Sequence, residues 1–208
     1  MRRLDFDTQT SYASAYATMQ AEADQISAGT LAESYWIGEH PLTVTLGRSL
    51  KAKGQLLAPE GTVAVVEVER GGGATLHNPG QVVVYPLLRL EERKLSPVSY
   101  LRELEAILIE ALAMDDIVAL AIPGQTGVWV GQRKIASLGV SIIKGVTRHG
   151  LALNVVNDLA DFAFINPCGF TADTMVNVAS FQPQTSFAAY KERLAFLIER
   201  RFASLTKR

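Results

Sequence analysis

The sequence is short of cysteine. Cys168 is the only cysteine among 208 residues. A single thiol excludes an internal disulfide and any zinc site built from several cysteines. It also suits a reducing compartment, so we expect a cytoplasmic protein.

Long apolar runs and an excess of one charge are missing as well. No apolar stretch approaches the roughly 18 residues that span a bilayer, and we expect no secretion signal, because residues 1–10 lack an apolar core. The formal net charge of -1 gives no electrostatic reason to expect nucleic acid. The acidic residues and histidines show no metal-site spacing. These absences argue against nucleic acid, membrane and metal as partners.

What the chain does contain is clear periodicity. Apolar residues spaced three and four apart predict helices at three places: 8–28, 97–114 and 186–204. Alternating β-branched residues predict strands within 33–48, 61–70 and 80–90, and a hairpin followed by a third strand within 126–156. This order predicts an α+β (mixed α/β) architecture with helices packed on antiparallel-rich sheet. Because no stretch is typical of a linker, we expect residues 1–208 to form one domain.

Three consecutive glycines stand in the stretch RGGGATLH, residues 70–77. Glycine costs conformational entropy on folding, so something must require the bare backbone. One interpretation is a tight turn with a bulge between two strands. The other is a cradle for an oxyanion, a phosphate or an acyl group beside Arg70, Thr75 and His77. Neither a Walker loop nor a dinucleotide fingerprint fits the residues that follow.

Cys168 stands in FINPCGF, between Pro167 and Gly169, which predicts a turn. A lone cysteine is most often a small buried hydrophobe. On a turn it can instead be a nucleophile, but a thiol with a pKa of about 8.5 is mostly protonated at neutral pH and needs a basic partner. The candidate partners are His40, His77, His149 and Lys134.

Lys134 begins a predicted strand whose other residues are nearly all apolar or small. It is either an edge-strand lysine that points to water or an inward, partly desolvated amine suited to general-base chemistry. His149 is interpreted most simply as a structural histidine bonded to a backbone carbonyl. Trp129 is expected in the core or in a pocket wall.

Four stretches taken together resemble one family. RGGGATLHNPGQVVVYP, GVWVGQRKIASLGV, TRHGLALNV and INPCGF, in this order and at these separations, resemble the lipoyl(octanoyl) transferases of lipoate biosynthesis. The resemblance implies the fold of biotin and lipoate protein ligases, with a large mixed sheet, a small sheet and flanking helices. It also implies transfer of an octanoyl group from octanoyl-acyl carrier protein to a lysine of lipoyl domains, in 2-oxoacid dehydrogenase complexes and the glycine cleavage protein.

The resemblance also implies the site. Cys168 matches the nucleophile that carries the acyl group as a thioester, and Lys134 matches its partner, with no cofactor and no metal. The substrate pocket is implied to consist of Arg70, Gly71, Gly72, Gly73, Ala74, Thr75, Leu76, His77, Ser137, Leu138, Gly139, Gly150, Leu151 and Ala152. In this interpretation the glycines leave one wall of an acyl slot bare. Gly72→Val is then expected to raise KM while the fold survives.

Three other functions stay open at this point. The triple glycine also resembles the loop of ATP-dependent lipoate ligases, which form an acyl-adenylate and need no cysteine. A thioesterase would use the same thiol and amine with water as the acceptor. A binding module would hold acylated carrier protein without chemistry, although the presence of both the thiol and the lysine disfavours it.

Overall fold

The computed structural model of the protein describes residues 1–49, 52–166 and 174–205. In these ranges the chain forms three α-helices, α1 Tyr12–Ser27, α2 Pro97–Ala113 and α3 Phe187–Ser204. It also forms ten strands: β1 Arg2–Phe6, β2 Ser34–Gly38, β3 Thr43–Leu46, β4 Ala64–Glu67, β5 Ala74–His77, β6 Gln81–Leu87, β7 Leu120–Ile122, β8 Gln125–Val130, β9 Arg133–Ile143 and β10 Val146–Asn154.

Seven strands form a large mixed sheet in the order β1-β2-β6-β10-β9-β8-β7. Only the β1–β2 pair is parallel within it, and the remaining neighbours run antiparallel. The central strands β6 and β10 are buried along their whole length, as expected for strands covered on both faces. The predicted hairpin and third strand are confirmed as β8, β9 and β10.

The three helices cover the two faces of this sheet. Each begins at a serine whose side chain accepts a backbone N–H, and α2 adds Pro97 at its first turn. The apolar sides of α2 and α3 share one buried cluster with Val82, Val84 and Leu153 of the sheet. Helix α1 packs on the opposite face with Val83 and Leu87. None of the described helices is long and apolar enough to cross a membrane.

Three strands form a second, small sheet in the order β4-β3-β5, with β3 parallel to β4 and antiparallel to β5. Its apolar side covers a separate cluster that includes Val44, Leu76 and Phe162. The chain passes between the sheets twice, from β2 to β3 and from β5 to β6. Residues 70–81, which include β5 and the connection to β6, therefore lie along the region between the two sheets.

The predicted helices, the mixed α/β class and the combination of a large and a small sheet are confirmed. Helix α1 begins at Tyr12 rather than at residue 8, because Ser11 is its N-cap and accepts a hydrogen bond from the Ser14 amide. Residues 74–77 were expected in the glycine loop but form β5, since they pair with β3. The two strands predicted within 33–48 exist, but they belong to different sheets.

Candidate active site

A cavity of about 440 Å³ lies beside the glycine loop. Its lining comes from the loop and β5, from the middle of β9 and β10, and from the turn between β7 and β8. Single side chains of α1, β6 and α2 close it: Tyr12, Tyr85 and Leu101. The cavity therefore collects residues from both sheets and from helices on both faces of the large sheet.

The structure brings the residues implied as substrate contacts around this cavity, with one exception. Those that line it are Arg70, Gly71, Gly72, Gly73, Ala74, Thr75, His77, Ser137, Leu138, Gly139, Gly150, Leu151 and Ala152, together with Lys134. Leu76 is the exception: it is fully buried in the cluster under the small sheet. Because side chains alternate along a strand, Leu76 lies on the other face of β5 from Thr75 and His77. Cys168 lies outside the described residues. The roles of these residues remain predictions.

Arg70 organises the glycine loop. Its buried guanidinium donates to the carbonyl and hydroxyl oxygens of Thr45, both at 2.8 Å, and to the Gly71 carbonyl at 3.0 Å. A Cβ at Gly47 would lie 2.8 Å from Arg70 Nη1, and one at Gly139 would lie 2.9 Å from its Cδ. These two glycines thus make room for an arginine that ties the loop to the small sheet.

The loop glycines differ in what they require. Gly72 has φ +83°, so a β-branched residue there strains the backbone. Gly72→Val is therefore expected to cost about 1–2 kcal/mol of stability, and the survival of its fold stays a prediction. At Gly71 an added Cβ meets only the Val140 carbonyl oxygen, at 3.6 Å. Gly71→Ala is accordingly the substitution that tests the bare wall without backbone strain.

Lys134 points inward. Its strand β9 lies between β10 and β8, and only 6% of the residue is exposed, so the edge-strand interpretation is wrong. The amine Nζ donates to the Thr126 carbonyl at 2.9 Å and lies 5.5 Å from the centre of the Trp129 ring. A Cβ at Gly127 would lie 2.5 Å from Lys134 Cε. Gly127 therefore leaves the space in which the lysine side chain lies.

A buried carboxylate stands behind this amine. Glu105 of α2 is 2% exposed and accepts a long hydrogen bond of 3.5 Å from the Gly127 amide. Its other oxygen pairs with Arg102. The peptide between Thr126 and Gly127 is thus held from one side by Glu105 and from the other by Lys134. Sequence reasoning missed Glu105, because an acidic residue in an amphipathic helix is usually interpreted as solvated.

The residues on either side of 167–173 are anchored at the cavity. The Asn166 amide donates to the Gln55 carbonyl at 2.7 Å, and the Gln55 side chain accepts from the Ala74 amide at 2.8 Å. On the far side, the Val176 amide donates to the Lys134 carbonyl at 3.0 Å. The chain thus enters this segment next to the glycine loop and leaves it next to Lys134.

Aromatic and histidine rings form the opposite end of the cavity. Tyr12 stacks on His77 with ring centres 5.6 Å apart, and the edge of His149 meets Tyr85 at 6.1 Å. The Tyr85 hydroxyl bonds to Nε2 of His40 at 2.9 Å. All three histidines of the chain are therefore drawn into one buried cluster. Sequence reasoning missed Tyr12 and Tyr85, which come from α1 and β6.

His149 differs from its expected role. It is 1% exposed and has φ +59°, which is rare for a residue other than glycine. Within the described chain neither of its ring nitrogens has a hydrogen-bond partner. The interpretation as a histidine bonded to a backbone carbonyl is therefore wrong. Its ring instead stacks on Tyr16 at 5.2 Å and lines the cavity.

Burial sets the protonation of these rings. It lowers the pKa of His40 to about 2, of His77 to about 4 and of His149 to about 3. It raises the pKa of Tyr12 to about 12. At neutral pH these rings are uncharged, so a histidine is a poor candidate for the basic partner of a thiol.

The fold is that of a known class of ligases. The crystal structure of lipoate-protein ligase A bound with ATP superimposes with a TM-score of 0.75 at 15% identity, covering 97% of this chain and 85% of the ligase chain. Biotin protein ligase from Aquifex aeolicus matches with a TM-score of 0.56 at 10% identity, covering 98% of this chain and 69% of that one. At such identities the likeness shows the fold alone.

Sequence comparison identifies the family within this fold. The model of the lipoyl protein ligase A/B catalytic domain matches residues 11–198. The octanoyltransferase of Syntrophotalea carbinolica is 41% identical over 197 residues, 94% of this chain and 90% of the relative. That of Xanthomonas euvesicatoria is 39% identical over 194 residues, 93% and 82% of the two chains. The chain therefore belongs to the lipoyl protein ligase A/B catalytic-domain family, as an acyltransferase among its octanoyltransferases. The predicted family, fold and enzyme class are confirmed.

Proposed function

We propose that this protein transfers an octanoyl group from octanoyl-acyl carrier protein to a lysine of lipoyl domains, through a thioester on Cys168. The observation that carries the proposal is the buried amine of Lys134 in an acyl-sized cavity, at the point where the chain leaves residues 167–173. Cys168 follows Asn166 by two residues in the sequence. We infer that the acyl group is octanoyl, because the relatives are named octanoyltransferases.

In the first half-reaction Lys134 takes the proton of the Cys168 thiol. The thiolate attacks the carbonyl carbon of the donor thioester. The tetrahedral intermediate collapses, the donor C–S bond breaks, and Lys134 returns the proton to the departing phosphopantetheine thiol. The octanoyl group is then joined to Cys168 Sγ, and the lysine is ready for a second proton.

The oxyanion of this step needs hydrogen-bond donors, and we assign that role to two amides of the glycine loop. The amides of Gly71 and Ala74 are already engaged, by the Val140 carbonyl and the Gln55 side chain. Gly72 and Gly73 supply the remaining amides of the loop, next to the point where the chain passes Asn166. One such donor contributes about 3 kcal/mol to transition-state stabilisation.

In the second half-reaction the amine of the acceptor lysine attacks the acyl carbon on Cys168. The C–S bond breaks, and Lys134 carries the proton from the amine to the sulfur. An amide replaces a thioester, which is strongly downhill, so the transfer requires neither ATP nor a metal. Because a free reactive thiol must persist between turnovers, we expect the protein to work in a reducing compartment, the cytoplasm.

The experiment is an intact-mass measurement after the protein is mixed with octanoyl-acyl carrier protein in the absence of ATP. We expect an octanoyl adduct on the wild type that disappears when a lipoyl domain is added, as the mass of that domain rises by one octanoyl group. Cys168→Ser should form no adduct that the lipoyl domain discharges. Lys134→Met should form the adduct far more slowly.

Two results would contradict the proposal. Modification of the lipoyl domain only when ATP and free octanoate are supplied would identify an ATP-dependent ligase. Release of free octanoate with no transfer to the lipoyl domain would identify a thioesterase.

A further inference from the structure

A narrow groove of about 120 Å³ adjoins the cavity and shares with it Leu101 and residues 124–126. Helix α2 also supplies Val98, Arg102 and Glu105 to this groove. Of the described residues that line the cavity or the groove, Glu105 alone carries a carboxylate. The half-reactions assigned to Lys134 leave this buried acid without a role.

An ionised carboxylate held out of water is costly unless charges and hydrogen-bond donors face it. The Glu105 side chain is 3% exposed, and it bonds to the Arg102 guanidinium on its own helix and to the Gly127 amide of β8. The Arg102 side chain is 54% exposed, so water screens its charge. Arg102 therefore compensates the buried carboxylate only in part.

A single peptide group joins Glu105 to Lys134. Its N–H, that of Gly127, donates to Glu105 Oε1 at 3.5 Å, and its carbonyl, that of Thr126, accepts from Lys134 Nζ at 2.9 Å. Hydrogen bonds in a chain polarise one another, so a carboxylate at the N–H makes the carbonyl a stronger acceptor. A stronger acceptor favours the charged form of the amine, because an ammonium group donates more strongly than a neutral amine.

The two charges also act on each other directly. Along this path Lys134 Nζ and Glu105 Oε1 lie at most about 9 Å apart, and both residues are buried. Salt screens buried charges much less than exposed ones. The other cation of the described cavity lining, Arg70, donates to the carbonyls of Thr45 and Gly71 at the glycine loop.

The remaining titratable residues of the described cavity lining are histidines and tyrosines. They are uncharged at neutral pH, because burial lowers the pKa of His77 and His149 and raises the pKa of Tyr12 and Tyr85. Among the described lining residues, the negative charge that acts on the Lys134 amine is therefore that of Glu105.

We propose that Glu105 is a positioning residue for Lys134: through the Thr126–Gly127 peptide it orients the amine and stabilises the ammonium group that forms when Lys134 takes a proton. The inference rests on the proposed function, in which Lys134 accepts a proton in each half-reaction. When the negative charge is removed, the ammonium group loses its counter-charge and the amine becomes a weaker base. Proton transfer to Lys134 then becomes slower.

Glu105→Gln is the test variant, since it keeps the size of the side chain and an acceptor oxygen for the Gly127 amide but removes the charge. Glu110→Gln is the matched control. Glu110 lies on the same helix and also pairs with arginines, but these are Arg200 and Arg201 of α3. It is not among the described residues that line the cavity or the groove.

Arg102→Gln is a second variant, with an effect of the opposite sign. It removes an exposed side chain, so the fold is expected to survive. Because it leaves the Glu105 charge without its cation, it should make the ammonium form of Lys134 more stable.

The measurement is the second-order rate constant of adduct formation from octanoyl-acyl carrier protein, from about pH 5.5 to about pH 9. The acid limb that is missing in Lys134→Met reports protonation of Lys134 in the free enzyme. We expect Glu105→Gln to move this limb about one pH unit lower and to reduce the plateau roughly three- to tenfold. Arg102→Gln should move the limb to higher pH, and Glu110→Gln should match the wild type.

A merely structural role of Glu105 would reduce the plateau without moving the limb. An acid limb at the wild-type position in a Glu105→Gln or Arg102→Gln protein that thermal melts show to be folded would therefore overturn the inference. Equal changes in Glu105→Gln and Glu110→Gln would do the same. If the wild type itself forms no octanoyl adduct, the proposed function fails instead.

Discussion

At the scale of single residues, the position of the Lys134 amine depends on a glycine seven residues before it. Gly127 has φ +133°, and a Cβ there would lie 2.5 Å from Lys134 Cε and 2.7 Å from the Ala136 carbonyl oxygen. The neighbouring turn offers a natural comparison, because Gly131 also has a positive φ, +58°, but nothing lies within 4 Å of its Cβ position.

We therefore expect Gly127→Ala to lower kcat/KM for lipoyl-domain octanoylation by about 100-fold, since a shift of an ångström in a reacting group has an effect of that order. Gly131→Ala should keep wild-type activity. Gly131→Ala should lose about 1–2 kcal/mol of stability from left-handed backbone strain, and Gly127→Ala should lose more, because its Cβ also meets the Ala136 carbonyl oxygen. Steady-state kinetics and thermal melts measured side by side separate the two effects, and equal kinetic losses in both variants would count against a steric role of Gly127.

Much of the site could be predicted from short stretches of sequence, and the rest could not. Lys134 and most pocket residues belong to motifs that are contiguous in the chain, so a resemblance to known motifs finds them. Tyr12 of α1 lines the cavity and Glu105 of α2 bonds to the Gly127 amide only because these helices pack on the sheet. Tyr85 lies within the stretch 70–86, but its apolar strand does not reveal that its ring lines the cavity. No local pattern reveals such residues, because each fits the ordinary apolar or amphipathic periodicity of its own element.

At the scale of secondary-structure elements, α1 is fixed to the large sheet by a buried carboxylate. Glu22 accepts hydrogen bonds from Trp36 Nε1 at 2.7 Å and Ser34 Oγ at 2.8 Å, and it pairs with Arg2. It thereby joins α1 to both β1 and β2. The same helix carries Tyr12, so this anchor also holds one wall of the cavity.

Glu22→Gln keeps the size of the side chain but removes the charge and one acceptor oxygen. We expect it to lower the free energy of unfolding by about 1.5–3 kcal/mol, the usual worth of hydrogen bonds to a charged group. Gln25→Ala, on the exposed side of α1, should change it by less than about 0.5 kcal/mol. Urea unfolding measures the free energy of unfolding of both variants. Equal values would show that the hydrogen bonds of Glu22 make no net contribution to stability.

The elements that periodicity missed share a physical reason. β1, with the sequence RRLDF, is rich in charge and becomes a strand by pairing with β2. β5 follows three glycines and pairs with β3, and β7 is only three residues long and partly exposed. Each is defined by a partner distant in sequence. The helices, in contrast, have caps and apolar stripes of their own, so they were predicted to within a few residues.

At the scale of the whole molecule, the fold draws every histidine of the chain into one region between its two sheets. His40 comes from the β2–β3 connection, His77 from β5 and His149 from β10. All three are buried, and burial lowers their pKa values to about 2, 4 and 3. Between about pH 4 and pH 6.5 the folded protein thus keeps these rings neutral, whereas the unfolded chain protonates them.

This difference makes stability fall on mild acidification. The unfolded histidines bind protons as the pH drops through about 6.5, and the folded ones do so only near pH 4 or below. The unfolded state is favoured across that window, by about 1.4 kcal/mol per pH unit for each histidine. Asp5 and Asp115, whose pKa values are lowered chiefly by hydrogen bonds from Arg3 and Arg193, add to this loss in the same direction as the pH falls further.

We therefore expect the free energy of unfolding to decrease steeply between pH 6 and pH 4.5, and His40→Asn to remove about one third of that slope, its share of three equivalent groups. Urea unfolding at several pH values measures the slope for the wild type and the variant. The matched control is Lys144→Asn, which removes one exposed side-chain charge and leaves all three histidines in place. If His40→Asn and the control show the same slope as the wild type, His40 is protonated in the folded state and the cavity end that it supports is charged, contrary to its burial.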